Sequence, residues 1–139
     1  MGNRAVIATE EKNMGIYLHW NGGRDSVEGF IKYCQLRGFR PPETDSYGWA
    51  RLCQVICNGM GGGLSVGIDK YENLDKDNGD NGVYLIKNWQ IIAREYFTGT
   101  EQHEYNLLEF LLELDKDQPV KDRLGDTKII EAMKGGLYA

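Results

Sequence analysis

The apolar residues of this chain switch period three times along its length, and that order excludes most architectures before composition is considered. Residues 4–8 and 14–20 alternate, with Ile16, Leu18 and Trp20 on one face of the second run and Tyr17 and His19 on the other. The polar stretch Glu10-Glu11-Lys12-Asn13 between them reads as a hairpin loop. Helical spacing follows. Val27, Phe30, Ile31 and Cys34 form one stripe, and Trp49, Leu52, Cys53 and Ile56 form a second that Met60 would extend. Alternation returns over 64–69, where Leu64, Val66 and Ile68 should face inward. It continues over 83–87 and 90–97, a hairpin about Asn88-Trp89 with an unusual turn pair, because Trp is poor at positive φ. Residues 104–117 then carry a wide leucine stripe, and a short last helix should run from Asp126 or Thr127 through Met133. The order is β-β-α-α-β-β-β-α-α. Consecutive strands on short turns predict an α+β fold, an antiparallel sheet of about five strands with helices on one side. Strict βαβ alternation is missing, which disfavours a doubly wound parallel sheet.

Element ends are marked by cap and breaker residues. Asp25 with Glu28 reads as a capping box for the first helix, and Gly38 as its C′ residue. Pro41-Pro42 forbids continuation. The second helix should start near Thr44 to Ser46, run to about Asn58, and end in Gly59 and Gly61-Gly62-Gly63. Pro119 breaks the third helix, and Gly135-Gly136 should end the fourth. A length of 139 residues fits one domain over 1–118, with 119–139 as a helical appendage packed on it.

Charge and thiols restrict the function classes. Sixteen Lys and Arg against 21 Asp and Glu give a net charge of −5, which argues against a nucleic-acid backbone as a direct partner but leaves room for a small anion. No apolar run approaches the roughly 18–20 residues of a membrane span. The N-terminus lacks a secretory h-region, and Val6 breaks the myristoylation pattern. Cys34, Cys53 and Cys57 read as free thiols of a reducing cytoplasm. His19 and His103 are isolated, so no metal site is expected, and no cofactor motif occurs.

Four segments hold candidate ligand chemistry. Trp20-Asn21-Gly22-Gly23-Arg24-Asp25-Ser26 places a glycine turn at a helix start, where backbone N–H groups and the Arg24 guanidinium would meet a phosphate or carboxylate. The same residues also read as a tight turn with a good cap. Tyr47, Arg51, Gln54 and Asn58 form a helix face with one charge, a hydroxyl and two amides, suited either to a polar planar ligand or to solvent. Gly59-Met60-Gly61-Gly62-Gly63 reads as a tight connection or a ligand-contacting loop, and 75–82 as a mobile loop without EF-hand spacing. His19 beside Tyr17 is the one acid–base candidate, and Arg94 with Tyr96 would extend a binding surface.

Residues 15–26, with Tyr47-Gly-Trp-Ala-Arg-Leu-Cys-Gln54 and Asp80-Asn-Gly-Val-Tyr84, resemble small proteins encoded in Firmicutes genomes and in their prophages and mobile elements. The resemblance covers about residues 1–115 and lends no catalytic residues. It implies a bacterial host cytoplasm and a counter-defence context. The resulting expectation is a non-enzymatic protein that sequesters a phosphate-bearing nucleotide-type ligand at His19, Asn21, Gly22, Gly23, Arg24, Tyr47, Arg51, Gln54, Asn58 and Arg94. Homo-oligomerisation through the 104–117 helix would complete it. Two alternatives stand beside it: an acidic inhibitor or adaptor of a host protein using the carboxylates of 101–117, and a small nucleotide-processing enzyme using His19.

Overall fold

The computed structural model describes residues 2–59 and 65–138, with side chains described as far as Lys134. The run 60–63 and Leu64, singled out above as a glycine loop and a strand start, lie outside the described residues. The elements are strands β1 (Ala5–Ala8) and β2 (Met14–Leu18), helices α1 (Arg24–Leu36) and α2 (Ser46–Gly59), strands β3 (Val66–Lys70), β4 (Val83–Lys87) and β5 (Gln90–Glu95), and helices α3 (Leu107–Asp117) and α4 (Asp126–Tyr138). The fold is α+β, with a five-stranded sheet in the order β3-β2-β1-β4-β5.

The sheet is mixed. β1 pairs with β2, β2 with β3 and β4 with β5 antiparallel, but β1 pairs with β4 in parallel. The cause is direction. β3 runs the same way as β1, since each is antiparallel to β2. To enter β4 parallel to β1, the chain must return along the length of the sheet. Residues 71–82 make that return across the face opposite the helices, where Tyr71 and Leu74 pack with Tyr17 on Val6, Ala8, Val83 and Leu85. This segment was expected to be mobile, but it is stitched down. Asn78 and Asn81 are buried, and the Asn78 side chain accepts from the Asp80 and Gly82 N–H groups and donates to the Asp75 carbonyl. Arg4 pairs with Asp80 at 2.7 Å.

All four helices pack on the other face, around Ile7, Ile16, Leu18, Tyr84 and Ile86. The predicted stripes of α1 and α2 point inward: Val27, Phe30, Ile31, Cys34, Trp49, Leu52 and Ile56 are buried. Gly48 in the first turn of α2 sits against the backbone of Arg40 to Pro42, where a Cβ would collide. Gly38 has φ +76 and open space around it, so its role is conformational, as the C′ reading expects. The wide leucine stripe is an interior feature. α3 lies among α1, α2 and α4, with Leu111 and Leu114 buried and Leu107, Leu108, Phe110 and Leu112 packed against the core. Burial of that stripe therefore does not call for a second copy of the chain. α4 continues through Gly135-Gly136 instead of stopping at Met133, and Ile129 anchors it fully buried in the main core.

Three further expectations need correction. Asp25 is not the N-cap of α1; Gly23 is, with no side-chain cap. Trp20 does not share the burial of Ile16 and Leu18, with which it was placed on one face, being 47% exposed beyond the end of β2. Ile68 shares a face with Ile16 but stands on edge strand β3, where it is 55% exposed.

Candidate functional site

The glycine turn leads into a helix start as expected, but without the Asp25 cap, and Asn21 supplies its positive φ. Asn21 takes φ 58, the Gly22 carbonyl accepts from the buried Tyr84 hydroxyl at 2.7 Å, and Gly23 leads into α1. A Cβ on Gly22 would strike the Asn3 carbonyl, and one on Gly23 would strike the Gln102 side chain. The second contact decides what the loop does. The segment between β5 and α3 lies over the start of α1. The Gln102 carbonyl accepts the Asp25 N–H at 3.3 Å, and Asp25 Oδ2 accepts the Glu104 and Tyr105 N–H groups at 2.6 and 3.0 Å. Asn3 donates to Gln102 Oε1 at 3.0 Å and accepts from Asn81 at 2.7 Å, closing an amide network beside the loop.

The anion that meets Arg24 is the chain's own. Glu101 accepts from Arg24 at 2.7 Å and also from Arg94. Arg24 is further held by Glu28 at 2.6 Å. Arg94 packs its guanidinium over the Tyr84 and Phe97 rings, 3.7 and 4.0 Å from their centroids. Arg24 and Arg94 thus meet in a closed ionic cluster around Glu101. Burial pushes the Glu101 carboxyl up, while the bonds from Arg94 and Arg24 outweigh it and hold the group below the usual glutamate value of about 4.3. A depressed folded value means stability that is present above the unfolded value and lost as pH falls through the folded one. Glu101→Gln should therefore flatten the acid limb of the stability curve below about pH 4.3. Urea unfolding of both proteins over that range checks this, with the wild type expected to lose stability more steeply.

His19 is half-buried. Its Nδ1 lies 3.0 Å from the Tyr17 hydroxyl, its ring meets Trp20 edge-on, and its backbone bonds Ser65 and Asn3. It lines neither of the two clefts described next.

The polar face of α2 divides. Tyr47 is 60% exposed and stands between the guanidinia of Arg40 and Arg51. Asn58 is structural: it donates at 2.9 Å to Gln118, whose own amide donates to the Val55 and Leu114 carbonyls. Arg51 and Gln54, by contrast, line a cleft of about 360 Å³ with Arg37, Phe39, Val55, Gln118, Lys121 and Asp122. Arg37 donates to the Asp122 carbonyl and lies over the Phe39 ring. Among the described residues, Arg37, Arg51 and Lys121 have no carboxylate within ion-pair distance, although Arg4, Arg24, Arg40 and Arg94 each do. Three cations against the single carboxylate Asp122 give the cleft a formal +2 in a chain of −5.

Sequence reading missed Arg37, Phe39 and Lys121. Arg37 follows the end of α1, and Lys121 lies in the turn after Pro119. No local spacing connects them, because the end of α1, the middle of α2 and the 3-10 turn Val120–Asp122 meet only in three dimensions.

A larger groove of about 480 Å³ lies between α1, the β4–β5 hairpin, α3 and α4, floored by Ile31, Trp89, Ile91, Leu107 and Met133. Arg24 and Lys32 against Glu28 give this groove a formal +1, and Arg24 is already held by two carboxylates. For an anion the smaller cleft is the better host, because charge and donor supply decide phosphate affinity more than volume does. Compared with protein-family models, curated proteins and solved structures, the chain has no match.

Proposed function

We propose that this chain is a non-enzymatic binding protein that sequesters a small phosphate-bearing ligand of nucleotide type in the cleft of Arg37, Arg51 and Lys121. The observation that carries this reading is the collection of three cations without ion-pair partners around one concave surface of an acidic protein. Two guanidinia offer forked N–H donors to phosphate oxygens, Lys121 a point charge, and Gln54 an amide for a polar ring edge. The proposed site takes Arg51 and Gln54 from the predicted residues and leaves out Asn21, Gly22 and Gly23, and also Arg24 and Arg94, which pair with Glu101. The resemblance of 15–26, 47–54 and 80–84 to proteins of prophages and mobile elements makes an immune nucleotide signal the first class to test.

The acidic-decoy alternative weakens for a specific reason. Of the carboxylates in 101–117, Glu101 is turned onto Arg24 and Arg94 and Asp115 is buried, so the acidic surface is thinner than its sequence.

The test is a thermal-shift panel of mono-, di-, cyclic and ADP-ribose-type nucleotides. A ligand at 100 times its Kd adds about 2.7 kcal/mol, a shift of several degrees. Arg51→Glu and Lys121→Glu should each abolish the shift, Arg24→Ala should keep it, and the ligand should be recovered intact. No shift across the panel, or an unchanged shift in both charge reversals, overturns the reading.

A further inference from the structure

We propose that Cys53 and Cys57 form a two-thiolate site for one soft, low-coordinate metal ion of the Cu(I) class. The residues stand four apart on α2, both thiols are partly exposed, and their Sγ atoms lie 3.9 Å apart. With metal–sulfur bonds of about 2.3 Å, sulfurs at 3.9 Å subtend about 116° at a shared ion, close to the trigonal angle. Two thiolates and one exogenous donor then complete a three-coordinate site. Soft thiolates select Cu(I), which is content with so few ligands, whereas structural zinc takes four. Among the described residues no group of three or more His, Cys, Asp or Glu gathers to hold a metal, so a four-coordinate protein site is not formed there. The pair is also independent of the anion cleft, since neither cysteine lines it.

Loading is an exchange without redox. The two S–H groups lose their protons to solvent, two Cu–S bonds form, the delivering chelator departs, and copper stays Cu(I). Because uptake releases those protons, it weakens as pH falls. The third thiol, Cys34, is fully buried and serves as an internal control.

The test is an anaerobic titration of the reduced full chain with Cu(I) supplied as its bicinchoninate complex. The wild type and Cys34→Ala should each withdraw one Cu(I) per chain. Cys53→Ser and Cys57→Ser should each weaken binding by more than the roughly 10–100-fold that loss of an outer-shell partner costs. Iodoacetamide labelling of the wild type gives a readout free of variants, since bound Cu(I) should protect Cys53 and Cys57 together. Failure of the folded wild type to withdraw copper, serine variants that bind as the wild type does, or labelling unaffected by copper would each overturn the proposal.

Discussion

Trp89→Ala should lower the unfolding free energy by about 3–5 kcal/mol, the range for deleting a large buried aromatic. Lys87 pairs with Gln90, so Asn88-Trp89 is a two-residue hairpin turn, and both residues sit at positive φ, 51 and 60. That is the backbone of the tight hairpin turn normally filled by Asn-Gly. A tryptophan there is strained by roughly 1–3 kcal/mol. It holds because the ring is 4% exposed in the main core and its indole N–H donates to the Phe39 carbonyl at 2.7 Å. Glu43 helps by accepting the Asn88 N–H at 2.9 Å. The competing terms can be separated. Glycine usually costs about 0.5–1 kcal/mol more than alanine inside a strand or helix. Here Trp89→Gly should be no worse than Trp89→Ala, because glycine relieves the left-handed backbone. Urea unfolding measures both, and a loss below about 1 kcal/mol for Trp89→Ala would contradict the packing argument.

The second large effect is expected at Asp115. This carboxylate is 2% exposed and joins three helices, with no ion pair to a cation among the described residues. Oδ1 accepts the Tyr33 hydroxyl of α1 and the Leu124 N–H at 2.8 Å, and Oδ2 accepts the Gly125 N–H at 3.0 Å. The two N–H groups precede α4, so the side chain of α3 fixes where α4 begins. Burial first, and then the bond to Asp115, pushes the Tyr33 hydroxyl up, keeping it protonated as a donor. Asp115→Ala leaves the buried Tyr33 hydroxyl without its acceptor and frees the N–H groups of half-buried Leu124 and exposed Gly125, and should cost about 1–3 kcal/mol, the range for one unsatisfied buried group. Tyr33→Phe in the alanine background should recover part of that loss, because it removes the buried hydroxyl left without an acceptor. A double-mutant cycle by chemical denaturation reads the coupling, and strict additivity would contradict it.

Much of the architecture was legible because apolar period is a local signal. Val27, Phe30, Ile31 and Cys34 sit where an amphipathic helix must put them, and Trp49, Leu52 and Ile56 repeat the pattern. The parallel pairing of β1 with β4 was not legible. It depends on the return segment 71–82, whose Asp, Asn and Gly residues read as a surface loop although Asn78 and Asn81 are buried by hydrogen bonding. The leucine stripe of α3 was seen, but a stripe cannot say whether its cover comes from the same chain or another. The glycine loop was likewise found, with Arg24 at its helix start. That Glu101, 77 residues later, would pair with this arginine follows only from the tertiary path of the chain. Arg37 and Lys121 join Arg51 for the same reason: α1, α2 and the turn after Pro119 converge without any shared motif.

The most direct test of the anion cleft is a backbone and side-chain NMR titration of the protein with the nucleotide that gives the largest thermal shift. The shifts should concentrate at Arg37, Arg51, Gln54 and Lys121, and leave Gly22, Gly23, Arg24 and Arg94 unmoved. Perturbation centred on the glycine loop and Arg94, with Glu101 released from its two arginines, would contradict the account and return the ligand to the start of α1.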